Sequence, residues 1–307
     1  MRAVLFWLRA ARAPFFTASL APILVGTGAA YCVTGGRVQW DLAVLALVSL
    51  MLLQACANLA NDFFDHLSGT DGLNTTFASP FTGGSRVIQQ GEARPWEVAA
   101  AAFVCLVLAA VIGFYLVYRG GWPILWLGLI GGLTGVFYTA PPLKFAYRGG
   151  GEVFIFLDFG LLPTLGAYYL QVGRFDLEAF WASVPVGLLI TGILWINQFQ
   201  DAEADAAVRK RHWVVRLGRR RSAWVHVGLM GVTFLSIVLA VAIHLFPPTA
   251  LVALLAIPPA AKACQVALRY HDDLPRLTPA NAATVATHLA ASVLLSLAFF
   301  CAGLIPY

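Results

Sequence analysis

Nine stretches of this 307-residue chain are apolar for about twenty residues each, at roughly 14–33, 42–64, 97–117, 122–140, 152–171, 179–200, 223–244, 249–269 and 283–304. About twenty such residues are what a helix needs to cross the hydrocarbon of a bilayer. None of the runs alternates as a half-buried strand does. Hydrocarbon offers a crossing backbone no partner but itself, so the runs predict an all-α membrane protein with nine transmembrane helices in a single domain over residues 1–307. Two soluble domains of this total length would be about a quarter charged. Here charged residues make up 11% and hydrophobic ones 60%, which also excludes intrinsic disorder and a disulfide scaffold as the architecture.

The basic residues orient the bundle. With nine crossings the termini lie on opposite sides. If the N-terminus is cytoplasmic, sixteen of the 20 Lys and Arg fall in cytoplasmic segments, among them the cluster from Arg209 to Arg221. Arg37, Arg119 and Arg174 fall on the other side, and Lys262 lies inside a span. Cytoplasmic loops carry such an excess, so the N-terminus and the long loops are expected in the cytoplasm and the C-terminus outside. The net charge of +5 then reflects loops facing an anionic leaflet rather than a nucleic-acid partner. The first run, behind Arg9 and Arg12, lacks a cleavage region and reads as an uncleaved helix. No transit peptide is evident, which points to a prokaryotic cytoplasmic membrane. Cys32, Cys56, Cys105, Cys264 and Cys301 sit in apolar runs without a CxxC pair and read as small buried hydrophobes.

The chemistry gathers on the cytoplasmic side. The second run ends in NDFFDHLSGTD, with Asn61, Asp65 and Asp71; the sixth ends in NQFQDAEAD, with Asn197, Asp201 and Asp205. Residues four apart share a helix face, so each motif sets a carboxamide and a carboxylate one turn apart at a span's end. Asp71, beyond Ser68-Gly69, is expected to curl back from a loop. Clustered carboxylates without equal local cations suit a hard divalent ion, and Mg²⁺ leaves positions for phosphate oxygens. Basic residues follow: Arg86 behind a Gly-Gly-Ser turn, Lys210 in the RKR run, and Lys144 and Arg148 with Tyr138 and Tyr147 in the loop after the fourth run. Carboxylates, Mg²⁺ and cations at one membrane face make a diphosphate site. Asp158, mid-span, is a functional candidate by its position. Glu152 is placed to orient Lys144, and His226, His244 and His288 read as packed or interfacial.

Both aspartate-rich motifs, together with ARAPFFTASLAPILVGTG, YTAPPLKFAYRGGGE and KRHWVVRLG, resemble the UbiA superfamily of intramembrane prenyltransferases. The six-residue step from Asp65 to Asp71 is most similar to its 1,4-dihydroxy-2-naphthoate branch. The resemblance implies a helical bundle around a central cavity capped by cytoplasmic loops. It implies transfer of a prenyl group from a polyprenyl diphosphate, held among lipid, to an aromatic acceptor, with the naphthoate carboxyl group lost as CO₂. Asp65, Asp71, Asp201 and Asp205 would hold Mg²⁺, with Asn61 and Asn197 orienting or ligating. Arg86, Lys144, Lys210 and Tyr138 would bind diphosphate. Tyr147, Arg148 and Asp158 would face the acceptor or the allylic cation, which aromatic faces, including Phe63 and Phe64, stabilise. Two positions depart from the family pattern after Asp205: Arg209 stands for Gly and His212 for Thr. Other acceptors within the superfamily remain open. So do a carrier, although its polar groups would gather at the midplane, and a non-catalytic membrane scaffold, although both aspartate sets are retained.

Overall fold

The computed structural model describes residues 2–69, 81, 82 and 84–304, and every regular element among them is helical. In chain order these are α1 (Arg2–Ala10), α2 (Thr17–Val33), α3 (Trp40–Ser68), α4 (Pro95–Gly120), α5 (Trp122–Phe137), α6 (Gly151–Phe156), α7 (Leu162–Val172), α8 (Leu177–Ala207), α9 (Trp213–Leu217), α10 (Arg219–Ala242), α11 (Ile257–Tyr270) and α12 (Leu274–Gly303). Short turns extend three of them into longer runs: 13–16 leads into α2, 157–161 joins α6 to α7, and 248–256 leads into α11. Eight helical runs among the described residues are long and apolar enough to cross a membrane.

Eight of the nine expected spans coincide with these runs. The fourth, expected at 122–140, is α5, an apolar helix of 16 residues. At 1.5 Å per residue it is about 24 Å long, short of a typical 30 Å hydrocarbon core. Pro141 and Pro142 lie just beyond it. Neither can donate a helical hydrogen bond, and each disfavours helical backbone in the residue before it. The second and sixth spans run longer than expected. α3 continues to Ser68, where Gly69 (φ +78°) turns the chain, and α8 continues to Ala207. Both polar motifs therefore sit on helix.

Helix α8 is central, packed by α2, α6, α7, α10 and α12, while α3 and α4 pair along their length. The core is built from small side chains: Ala21, Ala29, Ala179, Ala182 and Ala298 surround Tyr168 and Phe299. Without a hydrophobic drive between helices in lipid, small residues that allow close approach hold a bundle together. A Cβ on Gly160 would collide with the backbone of Gly187. Here the fifth span passes α8, and here its helix widens into a π turn, Leu157–Leu161. Pro163 follows and cannot donate back to Phe159, so the ladder must adjust locally. An apolar cavity of about 440 Å³ lies among α3, α4, α5 and α7, with Asp158 the charged residue of its described lining.

Candidate functional site

The two motifs meet at one end of the bundle. Asn61 Nδ2 donates to Asp65 Oδ2 at 2.9 Å, one turn along α3, as the spacing predicts. Asp65 is 6% exposed, and its buried Oδ1 has no hydrogen-bond partner among the described residues. On α8, Asp205 is 2% exposed and used on both oxygens. Lys210 Nζ lies 3.3 Å from Oδ1, and His212 Nε2 lies 3.1 Å from Oδ2. Lys210 pairs with Asp205 on α8 and lies near enough to feel the charge of Asp65 on α3. Burial opposes its charge, but Asp205, Asp65, Tyr138 and Asp201 outweigh that and hold its pKa well above the ordinary lysine value. Asn197 is turned to its surroundings: Nδ2 donates to Phe81 O at 3.2 Å, and Oδ1 accepts from Asn281 Nδ2 at 2.8 Å.

The loop after α5 closes over this cluster. Two ammonium groups lie over the Tyr147 ring, Lys144 Nζ 5.1 Å and Lys210 Nζ 5.8 Å from its centroid. Its backbone carbonyl accepts from Arg211 N at 3.0 Å. Tyr138 is half-buried beside Lys210 and shares its surroundings with Glu152, Asp205 and Asp65. Gly151 lets it in, since a Cβ there would come within 3.2 Å of the Tyr138 ring. Glu152 does not orient Lys144 as the sequence implied. Its Oε1 accepts from Gln198 Nε2 at 3.0 Å and from Trp213 N at 3.3 Å, tying α6 to α8 and α9.

Two sequence candidates stand apart. Arg148 is exposed and donates to Pro142 O at 3.3 Å, so it braces its own loop. Asp158 accepts from Thr134 Oγ1 at 2.6 Å inside the apolar cavity, on the membrane side of the cluster. Asp71 lies outside the described residues.

The sequence marks His212 only as a departure from the family pattern and does not single out Asp62 or Asn281, yet all three shape the site. Asp62 is 3% exposed, pairs with Arg12, and accepts from the Ser85 backbone N–H at 3.1 Å and from the Ser85 hydroxyl. It follows Gln54 and Asn58 at four-residue intervals, a legible polar stripe masked by the neighbouring Asn61 and Asp65. His212 is the N-cap of α9, with Nδ1 accepting from Val215 N at 3.4 Å. That places the proton on Nε2, facing Asp205. Asn281, on α12, meets Asn197 from a helix with no motif of its own.

The donor set is suited to a hard cation. It contains carboxylate oxygens, one of them an orphaned buried atom of Asp65, and no thiolates. Among the described residues no three acidic or imidazole groups converge to hold a metal, and the Lys210 ammonium pairs with Asp205.

Three comparisons bear on this arrangement. The profile of the UbiA prenyltransferase family matches residues 19–285. The 2-carboxy-1,4-naphthoquinone phytyltransferase of Synechocystis is 28% identical over 302 residues, covering 97% of this chain and 94% of its own. The 1,4-dihydroxy-2-naphthoate octaprenyltransferase of Mycobacterium tuberculosis is 31% identical over 257 residues, covering 84% of each chain. Among solved structures, a UbiA homolog from Archaeoglobus fulgidus bound to GPP and Mg²⁺ superposes with a TM-score of 0.58 at 16% identity, covering 94% of this chain and 99% of that one.

Proposed function

The chain belongs to the UbiA prenyltransferase family, and from that membership we propose that it transfers a polyprenyl group from a polyprenyl diphosphate to 1,4-dihydroxy-2-naphthoate, with loss of the acceptor's carboxyl group as CO₂. The observation that carries this reading is the meeting of Asp65 and Asp205 from two helices around Lys210, under a loop that adds Tyr138, Lys144 and Tyr147. Relatives named for naphthoate substrates, with most of each chain aligned, support this acceptor over others.

Asp65, Asp71, Asp201 and Asp205 would hold Mg²⁺, with Asn61 fixing the orientation of Asp65. Bound there, the ion supplies positive charge against the diphosphate oxygens. The protein's own groups do the rest. Arg86, Lys144 and Lys210 would pair with diphosphate as the C1–O bond breaks, and Tyr138 would offer its hydroxyl. The Tyr147 face, already set against two ammonium groups, is placed to attract an allylic cation as well. The prenyl tail lies in the membrane, where apolar helix faces receive it. As a ring carbon of the acceptor bonds C1 and the C1–O bond breaks, loss of the carboxyl group as CO₂ restores the aromatic ring, and diphosphate leaves towards the cytoplasm.

This reading includes nine crossings with the N-terminus cytoplasmic. α5 is short, yet it joins opposite ends of the bundle. Arg119, just before it, contacts Gln39 and Asp41 at the start of α3. Tyr147, just after it, donates to Ser68 at the other end of α3 at 3.4 Å.

The deciding experiment incubates the purified protein with Mg²⁺, geranylgeranyl diphosphate and a mixture of dihydroxynaphthoate, 4-hydroxybenzoate and homogentisate. Mass spectrometry should find the prenylated, decarboxylated naphthoquinol. The product should be absent with Asp65→Ala or with EDTA, and should return when Mg²⁺ is restored. Product from another acceptor would keep the mechanism and discard the naphthoate.

A further inference from the structure

Helix α3 carries two polar stripes side by side. Asn61 and Asp65 face the site. Gln54, Asn58 and Asp62 face the N-terminal segment: Gln54 Nε2 donates to Phe15 O at 2.8 Å, Asn58 Nδ2 donates to Ala11 O at 2.9 Å, and Asp62 pairs with Arg12. Asp62 thus ends a ladder that lays residues 11–15 along α3. Its other oxygen accepts both the backbone N–H and the hydroxyl of Ser85. Gly84 (φ +77°) packs directly on this carboxylate, and a Cβ there would lie 2.9 Å from Asp62 Oδ1 and 3.2 Å from the Arg12 guanidinium. Arg86 follows at φ +64°. Such left-handed backbone costs a non-glycine residue about 1 kcal/mol or more and persists only where its surroundings impose it.

We propose that Asp62 is a positioning residue for the prenyl donor: it clamps the Gly84–Arg86 turn to α3 and to the N-terminal segment, and so sets Arg86 against the diphosphate. The inference rests on the assignment of Arg86 to diphosphate made above. Asp62 sits inside an aspartate-rich run, yet its oxygens are committed to Arg12 and Ser85, and its role differs from that of Asp65. A buried carboxylate with a guanidinium and two further donors is a satisfied structural group.

The test is a double-mutant cycle with two readouts. Asp62→Ala should raise KM for geranylgeranyl diphosphate about tenfold and leave kcat within about twofold. Asp62→Asn, which keeps an acceptor for Ser85 but loses the Arg12 pair, should fall between. Asp62→Ala combined with Arg86→Ala should be no worse in KM than Arg86→Ala alone, because one residue acts through the other. Binding of Mn²⁺ to the donor-free protein, read by EPR, should match the wild type in Asp62→Ala and be lost in Asp65→Ala. If Asp62→Ala does not fold, Ser85→Ala cuts the same clamp more gently and enters the same cycle. Additive losses in KM, or loss of Mn²⁺ binding in Asp62→Ala, overturn the proposal and leave the Arg86 assignment intact. An unchanged KM in Arg86→Ala overturns that assignment and this proposal with it.

Discussion

Arg209 adopts φ +62° at the position where the family pattern has glycine. The departure was legible in the sequence, but its consequence was not: the backbone keeps the glycine conformation and the arginine bears the strain. Left-handed backbone costs an L-residue about 1–2 kcal/mol, and glycine gives part of that back through its larger unfolded-state entropy. Arg209→Gly should therefore stabilise the protein by about 0.5 kcal/mol, seen as a small rise in Tm in detergent. Lys210 gives a larger effect. Its side chain is 17% exposed and faces the buried carboxylate of Asp205. Its folded-state pKa is raised, so this stabilisation is complete below the ordinary lysine value and is lost only as pH climbs through the folded one. Lys210→Met removes that partner throughout the neutral range. Leaving a buried carboxylate uncompensated costs about 3 kcal/mol. The variant should unfold at lower temperature without metal and recover part of the loss as Mg²⁺ is added. It should bind Mn²⁺ more tightly than wild type when no diphosphate is present, and a calorimetric titration of both proteins checks this.

At the scale of the element, most of the architecture could be read because hydrocarbon makes length and polarity decisive. The runs predicted eight helical spans, although α8 continues seven residues past its expected end and α12 begins nine before its expected start, and the Asn-xxx-Asp spacing put Asn61 with Asp65 and Asn197 with Asp201 on helix. What could not be read depends on contacts between elements. α1 is only nine residues long and leaves Val4, Leu5 and Leu8 exposed, too short a pattern to separate from the span behind it. The π turn at Leu157–Leu161 arises where Gly160 and Gly187 bring two backbones together, and neither glycine announces its partner. Gly160→Val tests this crossing. Its side chain has no room beside the Gly187 backbone, and overpacking a tight core costs about 1–3 kcal/mol. The variant should lose thermal stability by that amount, whereas Gly128→Val, where a Cβ meets open space, should not.

At the scale of the whole molecule, the number of crossings decides which side of the membrane the C-terminus reaches, and α5 decides the number. Its 16 residues span about 24 Å. A short apolar helix crosses by thinning the bilayer locally or by letting flanking side chains reach the interface, at a modest cost per ångström of mismatch. Trp122 and Trp126 are exposed near its start, as interfacial anchors are. The alternative, eight crossings with α5 lying along one face, would separate Tyr147 from Ser68 and Arg211. It would also separate Arg148 O from Arg216 Nη2, which bond at 2.8 Å. Those ties join the loop after α5 to the end of the first aspartate motif and to the segment after the second, which supports the proposed crossing by α5. A reporter fused after residue 307 should therefore lie outside while one fused before residue 1 lies inside. Single cysteines placed at Gly149 and at Gly36 in a cysteine-free background should label from opposite sides with a membrane-impermeant maleimide. Both termini on one side would leave eight crossings and overturn the proposed diphosphate site, which needs Lys144 and Lys210 to share the Tyr147 ring.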